Sequence, residues 1–295
     1  MTNHPVVSIC MVTYGHENFI AEAINGVLMQ ECDFDYELVI GNDDSPDGTD
    51  EIVGHIIQNH PNGHRINYHK HQQNKGMMMN FSFILNQCRG RYIALCDGDD
   101  YWTDPKKLQK QVNFLENNPD HVLCFHKAEI LHPDGSFSAD SIAKLPENYE
   151  NLETLLQYGN YIHTPSVVFR NVLENYPDEF FRSPIGDYFL YVLLAEKGKL
   201  NRLTDVMCVY RQGVGFFSQQ TDVKISFNII KFYSCLLSYL SNANHKKIIY
   251  ERQLRLLESY NEHAAYKFTT TDYLAKNKSA RHISKALIKK IIRRK

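Results

Sequence analysis

Residues 90–116 read GRYIALCDGDDYWTDPKKLQKQVNFLE, and the rest of the fold can be worked out from them. RYIALC (91–96) is apolar and predicts a buried strand, which runs directly into the acidic DGDD at 97–100. Asp104 and Pro105 then predict a helix through Asn117, with Asp104 as its N-cap and Pro105 at its first position. A strand, an acidic turn and a helix in this order predict one unit of an α/β sheet.

The same alternation of strand and helix extends over the first 126 residues. The predicted strands of this part are 6–14, 36–41, 65–69, 91–96 and 121–126. Two further strands, PSVVFR (165–170) and DVMCVYR (205–211), flank a helix from Gly186 to Glu196. Helices alone are predicted beyond Gly215, over 219–240, 245–266 and 279–293. We therefore expect a mostly parallel, Rossmann-like sheet flanked by helices in a domain 1–215, followed by a helical C-terminal region 216–295.

Composition and overall charge are those of a globular protein, but the C-terminal residues are strongly basic. The 295 residues are 43% hydrophobic and 22% charged, which excludes disordered, collagen-like and low-complexity classes. The net charge of −2 argues against a general nucleic-acid binder. Residues 276–295 nevertheless carry nine Lys or Arg and no Asp or Glu, so 1–275 hold 23 basic against 34 acidic residues. An acidic body that binds an anionic substrate is expected to need a metal ion.

Cysteine usage and hydropathy indicate the expected compartment. The seven cysteines form no CxxC pair and lie mostly in apolar segments, which predicts neither a disulfide framework nor a cysteine zinc site. The first residues, MTNHPVVSIC, do not resemble a signal peptide, and no run of about 18 apolar residues predicts a membrane span. We therefore expect a cytoplasmic protein in a reducing environment.

Polar clusters follow three of the predicted strands. Thr13-Tyr14 ends the first strand, NDDSPDGT (42–49) the second and DGDD (97–100) the fourth. Ligands of open α/β sheets bind at the carboxyl ends of strands, so the three clusters predict one site. Taken alone, NDDSPDGT also fits a turn in which Ser45 or Asp47 caps the next helix.

The acidic turn is the most informative of the three clusters. Its carboxylates Asp97, Asp99 and Asp100 repel one another unless a cation lies between them. Mg²⁺ or Mn²⁺ held by one or two carboxylates commonly takes its other ligands from water and substrate phosphates. The alternative is a solvated turn. Neither GxGxxG nor GxxxxGK[ST] follows the first strand, which argues against dinucleotide and P-loop cradles.

These motifs resemble those of family 2 glycosyltransferases, which are inverting enzymes of the GT-A fold. Within that family, they resemble the bacterial surface-polysaccharide glycosyltransferases. The resemblance covers residues 5–215 and rests on VSICMVTYGHENFI, ELVIGNDDSPDGT, the Asn74-Lys75-Gly76 turn and, above all, 90–116. IGDYFLYVLLAEKG (185–198) is similar to the family's segment that carries the catalytic base. The resemblance implies a GT-A-type fold and a metal-assisted sugar transfer from a nucleotide-diphosphate sugar, typically UDP-linked, to a glycan or lipid-linked acceptor.

The resemblance also implies individual roles. Thr13 and Tyr14 would border the base and ribose, Asp43 would bind the base, and Asn74 would lie near either. In the DXD motif, Asp97 and Gly98 would lie at the ribose or sugar, and Asp99 would hold Mn²⁺ or Mg²⁺.

The matching base is Asp187, which would take a proton from the acceptor hydroxyl in a single displacement. From position alone, Asp187 also fits a helix N-cap. Asn42 stands where the family commonly has an acid, and the Tyr210-Arg211 pair lacks the histidine that often follows it.

Other interpretations stay open from the sequence. A non-catalytic sugar-nucleotide or glycan-binding protein and a nucleotide-sugar hydrolase both fit the same fold. Trp102 follows the acidic turn and either forms a platform for an acceptor sugar or packs beside the site. Residues 279–295 read as a basic amphipathic helix with an Ile283, Leu287 and Ile291 stripe, which suits either an anionic membrane surface at the inner face of the cytoplasmic membrane or docking on the protein.

Overall fold

The computed structural model describes residues 4–140, 145–215 and 220–269, with side chains as far as Ser259. Nine strands form one sheet within these ranges: β1 (Val7–Thr13), β2 (Tyr36–Asn42), β3 (Ile66–Lys70), β4 (Tyr92–Leu95), β5 (Tyr101–Trp102), β6 (His121–Leu131), β7 (Phe137–Ala139), β8 (Val168–Arg170) and β9 (Lys199–Arg211). The nine helices of the same ranges are α1 (Ile20–Leu28), α2 (Thr49–Asn59), α3 (Met77–Gln87), α4 (Lys107–Asn117), α5 (Leu152–Tyr158), α6 (Asp178–Arg182), α7 (Gly186–Ala195), α8 (Asp222–Tyr239) and α9 (Ala243–Thr269).

The first half of the sheet is the Rossmann-like unit that the sequence predicts. Strands β3, β2, β1 and β4 lie side by side in that order and are all parallel. β1 and β4 are buried along almost their whole length, which explains their continuous runs of apolar, β-branched residues. This arrangement brings the carboxyl ends of β1, β2 and β4 to one edge.

The second half of the sheet corrects the expectation of a mostly parallel arrangement. β8 runs antiparallel to both β4 and β6, and β5 is antiparallel to β9. Only β6 and β9 are parallel in this half, so the sheet is mixed. Strands β5 and β7 have two and three residues, too few for an apolar period to predict them.

One helix start also differs from its prediction. α4 begins at Lys107, and Asp104 does not cap it. The Oδ1 atom of Asp104 accepts the backbone N–H of Lys106 at 2.8 Å, and its Oδ2 atom binds the Lys110 ammonium at 2.8 Å. Asp104 therefore stabilises the turn that precedes the helix.

The chain divides into two compact units, one that ends at Ile249 and one that begins at Tyr250. The first unit contains α8, whose buried Phe232 stacks on Tyr188 of α7 at 4.7 Å between ring centroids. The predicted helix over 279–293 lies outside the described residues. Along the part of the chain that the structure describes, no helix has both the length and the apolar character needed to cross a membrane.

Candidate active site

The acidic turn 97–100 lies against the end of β1. The N–H of Gly98 donates to the Val12 carbonyl at 3.0 Å, which fixes the turn to that strand. A side chain at Gly98 would have no room, because its Cβ would lie 2.7 Å from Thr13 Oγ1 and 3.0 Å from His16 Nδ1. Glycine at position 98 thus allows the acidic turn to pack directly against Thr13, another of the sequence-predicted residues.

Negative charge is concentrated in this turn. Burial raises the pKa of Asp97 well above its usual value, and the charges of Asp99 and Asp187 raise it further. Burial and the Asp99 charge likewise raise the pKa of Asp100, although the carboxylate accepts the Arg211 N–H at 2.8 Å. A cation bound here would relieve the repulsion among these carboxylates.

Arg211, at the end of β9, holds the turn from the other side, a role that the sequence motifs did not predict. Its guanidinium donates to the Asp99 carbonyl at 2.6 Å and forms an ion pair with Glu22 of α1. It also lies over the rings of Tyr101 and Phe19, 4.5 and 5.1 Å from their centroids. The Tyr210-Arg211 pair is visible in the sequence, but the contact of Arg211 with Asp99 joins residues 112 positions apart, and no local motif predicts it.

Asp43 and Asn74 meet beside the same edge. The two carboxylate oxygens of Asp43 accept the N–H groups of Lys75 and Gly76 at 2.8 and 2.9 Å, and Asn74 Nδ2 donates to the Asp43 carbonyl at 3.1 Å. Gly76 adopts φ +86°, a backbone conformation that favours glycine. The Asp43 N–H in turn donates to the Thr13 carbonyl at 3.0 Å. Tyr14 follows as an exposed side chain, 49% accessible.

The departure at Asn42 has a structural reason. Its side-chain amide donates to the Tyr68 hydroxyl at 2.8 Å, while its oxygen accepts the N–H and hydroxyl of Ser45 at 2.9 and 2.7 Å. The Tyr68 hydroxyl donates its own proton to Asp50 at 2.7 Å, so it can only accept from residue 42, and an ionised aspartate there has no proton to donate. Asn42 therefore joins β2 to β3 and to the turn that follows β2.

Asp187 lies in the first turn of α7 and faces the acidic turn. Its Oδ1 atom accepts the Tyr188 N–H at 2.7 Å, and its Oδ2 atom accepts both Asn160 Nδ2 and the Thr164 hydroxyl at 3.2 Å. Burial raises the pKa of this carboxyl, and its charge in turn raises the pKa of Asp97. The N-cap position of the helix belongs to Ile185, so Asp187 does not cap it. Asn160 and Thr164 were not identified from the sequence.

Trp102 is a core residue in this structure. Its side chain is 2% exposed, its indole N–H donates to the Pro165 carbonyl at 2.8 Å, and the Lys107 ammonium lies 4.0 Å from the ring centroid. The backbone of α1 packs against it at Gly26, where a Cβ would lie 2.8 Å from Trp102 backbone atoms. Of the two alternatives, packing beside the site describes this environment, and the ring has no exposed face for a sugar.

The side chains of this site could supply only some of the ligands that a hard divalent cation needs. Within residues 4–140, 145–215 and 220–259, no three His, Cys, Asp or Glu side chains are grouped so that they could hold an ion. One or two carboxylates with water and substrate phosphates are, however, a common Mg²⁺ or Mn²⁺ environment. Asp99, 7% exposed among acids of raised pKa, supplies oxygen ligands of that kind.

Two solved structures resemble this fold. The Staphylococcus aureus TarS 1–349 structure in complex with UDP-GlcNAc has a TM-score of 0.60 at 18% identity and covers 91% of this chain and 77% of its own. The Pyrobaculum calidifontis mannosyltransferase PcManGT in complex with GDP-Man and Mn²⁺ has a TM-score of 0.60 at 16% identity and covers 96% and 84%. These likenesses confirm the GT-A-type fold that the sequence motifs predict.

Relatives by sequence and a family profile agree with the fold. An uncharacterized protein of Mycobacterium tuberculosis is 35% identical over 206 residues, 70% of this chain, and the chain spans only 58% of the length of that relative. The Escherichia coli UDP-Glc:alpha-D-GlcNAc-diphosphoundecaprenol beta-1,3-glucosyltransferase WfaP is 25% identical over 70% of this chain and 76% of its own length. The profile of Glycosyl transferase family 2 matches residues 8–177, more than half of the chain, and the protein therefore belongs to that family, as its motifs predict.

Proposed function

We propose that the protein is an inverting glycosyltransferase that moves a sugar from a nucleotide-diphosphate sugar to a hydroxyl of a glycan or lipid-linked acceptor. One observation carries this proposal. The acidic turn after β4 and the half-buried Asp187 of α7 lie close enough for the charge of Asp187 to raise the pKa of Asp97. Asp187 lies beyond the residues that match the family profile, so its role rests on this geometry and on the resemblance of 185–198.

The nucleotide would lie at the ends of β1 and β2. Thr13 and Tyr14 border the base and ribose in this proposal, with Asp43 and Asn74 at the base and Asp97 and Gly98 at the ribose or sugar. The mutual hydrogen bonds of Asp43, Asn74 and the 74–76 turn hold this part of the site in one conformation before the ligand arrives. Such preorganisation reduces the entropy cost of binding.

Asp99 is the residue that would hold Mn²⁺ or Mg²⁺. A divalent ion supplies positive charge that stabilises a departing diphosphate. The acids of raised pKa around Asp99 support this assignment, as does the structure of PcManGT in complex with GDP-Man and Mn²⁺. Gly98 lets the turn pack closely against Thr13 and His16, and Arg211 fixes the backbone of Asp99.

Asp187 would act as the general base. Its carboxylate accepts the proton of the acceptor hydroxyl while the acceptor oxygen forms a bond to the anomeric carbon. The bond from that carbon to the diphosphate breaks, and the diphosphate leaves with the electron pair. One displacement without a covalent intermediate inverts the anomeric configuration. A raised pKa suits a base that must hold a proton briefly during the reaction.

We infer the classes of sugar donor and acceptor from the names of similar proteins. TarS was solved with UDP-GlcNAc, and WfaP is named for transfer from UDP-Glc to a diphosphoundecaprenol-linked sugar. We infer a UDP-sugar donor and a glycan or lipid-linked glycan acceptor for this chain. We also propose a peripheral position at the inner face of the cytoplasmic membrane, where the basic segment 279–295, which lies outside the described residues, would bring the enzyme to a lipid-linked acceptor.

A screen of nucleotide sugars by thermal shift in Mn²⁺ tests the proposal. We expect one UDP-sugar to raise the melting temperature more than the others, and that sugar to be transferred to a lipid-linked or glycan acceptor with inversion. Release of free sugar with the same rate in the presence and absence of every acceptor would instead identify a hydrolase. Binding without turnover would identify a sugar-nucleotide binding protein.

A further inference from the structure

Two polar side chains converge on the carboxylate of Asp187 from outside α7. Asn160 follows the end of α5, where Gly159 adopts φ +98°, and Thr164 begins a short 3-10 turn over 164–166. Asn160 Nδ2 and Thr164 Oγ1 each lie 3.2 Å from the same oxygen, Oδ2 of Asp187. The segment 159–164 therefore contributes two donors to one carboxylate oxygen.

Asn160 is itself held in place by its other side-chain atom. Its Oδ1 atom accepts the backbone N–H of Ile162 at 3.1 Å, so the amide bridges the local turn and Asp187. The Tyr188 N–H occupies Oδ1 of Asp187 at 2.7 Å. With donors on both oxygens, the carboxylate cannot rotate without losing hydrogen bonds, and Oδ1 still has a lone pair for an acceptor hydroxyl.

We propose that Asn160 and Thr164 are positioning residues that keep the Asp187 carboxylate ionised and aimed at the acceptor hydroxyl. The proposal rests on the proposed function, because it assumes that Asp187 is the base. A general base must be both deprotonated and within hydrogen-bond reach of the proton it takes. The two side chains serve both requirements, since donors to a carboxylate favour its ionised form.

The charges around Asp187 show why such donors are needed. Burial favours the protonated acid, and Asp97 on the turn after β4 adds a second carboxylate nearby. The other titratable groups that face Asp187 are Tyr191, one turn further along α7, and Tyr210 of β9. Burial raises the pKa of both tyrosines, so they stay neutral and add no charge beside Asp187. Hydrogen bonds oppose protonation of Asp187, first from the Tyr188 N–H, then from Thr164 and Asn160, and last from the backbone N–H of Asp187 itself.

Three substitutions separate positioning from simple packing. Thr164→Val keeps the branched shape and removes the hydroxyl, while the matched control Thr164→Ser keeps the hydroxyl. Asn160→Asp keeps an oxygen for the Ile162 N–H, replaces the donor by an acceptor and brings a second negative charge to Asp187. Circular dichroism and thermal unfolding of all three confirm that the comparison is made on folded protein.

The decisive readout is the pKa of Asp187, measured by NMR titration of carboxyl-¹³C-labelled aspartate and assigned with Asp187→Asn. We expect the pKa to rise in Thr164→Val, to rise by about one unit or more in Asn160→Asp, and to stay near wild type in Thr164→Ser. The acid limb of the pH profile for transfer should move upward with it, with kcat reduced and the Kd for UDP with Mn²⁺ unchanged. An unchanged pKa in both Thr164→Val and Asn160→Asp would overturn the proposal.

Failure of this inference differs from failure of the proposed function. If Asp187→Asn abolishes transfer but neither Thr164→Val nor Asn160→Asp changes the pKa or kcat, Asp187 is the base without these positioning residues. If Asp187→Asn leaves transfer intact, the base assignment itself is wrong, whatever happens to the pKa. Both results are obtained from the same set of variants.

Discussion

The single residue Asp97 lowers the stability of the folded protein when its carboxyl group is ionised. Burial and two neighbouring carboxylates raise its pKa, so its ionised form is disfavoured in the folded protein relative to the unfolded chain. Above the unfolded-state pKa of about 3.9, the folded state binds more protons than the unfolded state, and stability falls as the pH rises through the folded pKa. The acidic turn therefore destabilises the metal-free protein at neutral pH.

We expect Asp97→Asn to raise the free energy of unfolding of the metal-free protein at pH 8 by roughly 1 kcal/mol or more, since one pKa unit is worth about 1.4 kcal/mol. The gain should shrink as the pH falls and disappear below about pH 3, where Asp97 is neutral in both the folded and the unfolded state. Urea unfolding in EDTA at a series of pH values measures it. A pH-independent difference, or a loss of stability at pH 8, would argue that Asp97 stabilises the fold when charged.

The limits of sequence reasoning also appear at single residues. The roles of Thr13, Asp43, Asp97 and Asp99 could be suggested because their motifs are local in the chain. Asn160 and Thr164 could not, since they acquire meaning only by contact with Asp187, 27 and 23 positions away. The reason for Asn42 in place of the family's common acid is likewise a contact with a distant residue, because its amide donates to the Tyr68 hydroxyl.

At the scale of helices and strands, an element could be predicted when it was long enough to show a regular pattern of apolar residues. The parallel strands and their helices were predictable because buried strands and amphipathic helices have different apolar periods. β5 and β7 were not, because they have only two and three residues. β8 lies within the predicted strand 165–170, but its antiparallel pairing with β4 and β6 has no local signal in the sequence. β9 begins at Lys199, six residues before the predicted strand 205–211. The prediction missed these residues because buried and exposed positions do not alternate regularly among them.

The close approach of the acidic turn to β1 gives a prediction at this scale. Gly98→Ala should lower the free energy of unfolding by about 1–3 kcal/mol, because its Cβ would overlap Thr13 and His16. It should also weaken UDP binding, since the turn must move. Gly54→Ala on α2 is the matched control, because a Cβ there meets nothing within 4 Å, and it should stabilise by about 0.5–1 kcal/mol. Equal effects of the two substitutions would contradict the packing explanation.

The distribution of charge matters at the scale of the whole molecule. The nine basic residues of 276–295 contrast with an acidic remainder, and each Lys or Arg near an anionic bilayer contributes about 1 kcal/mol. We predict that the full chain sediments with anionic liposomes, that a 1–275 truncation does not, and that added salt weakens the binding because part of it is Coulombic. Equal partitioning of both forms, or none by either, would leave the segment without a membrane role.

The central claim is that the acidic turn binds a nucleotide through a divalent cation, separately from the base. Calorimetric titration of UDP, with GDP and dTDP in parallel, tests it in Mn²⁺ and in EDTA for wild type, Asp99→Ala and Asp187→Asn. We predict Mn²⁺-dependent binding that falls at least about tenfold, or 1.4 kcal/mol, in EDTA and in Asp99→Ala, but stays within a few fold in Asp187→Asn. Equal affinity in Mn²⁺ and EDTA, or wild-type affinity in Asp99→Ala, would contradict it.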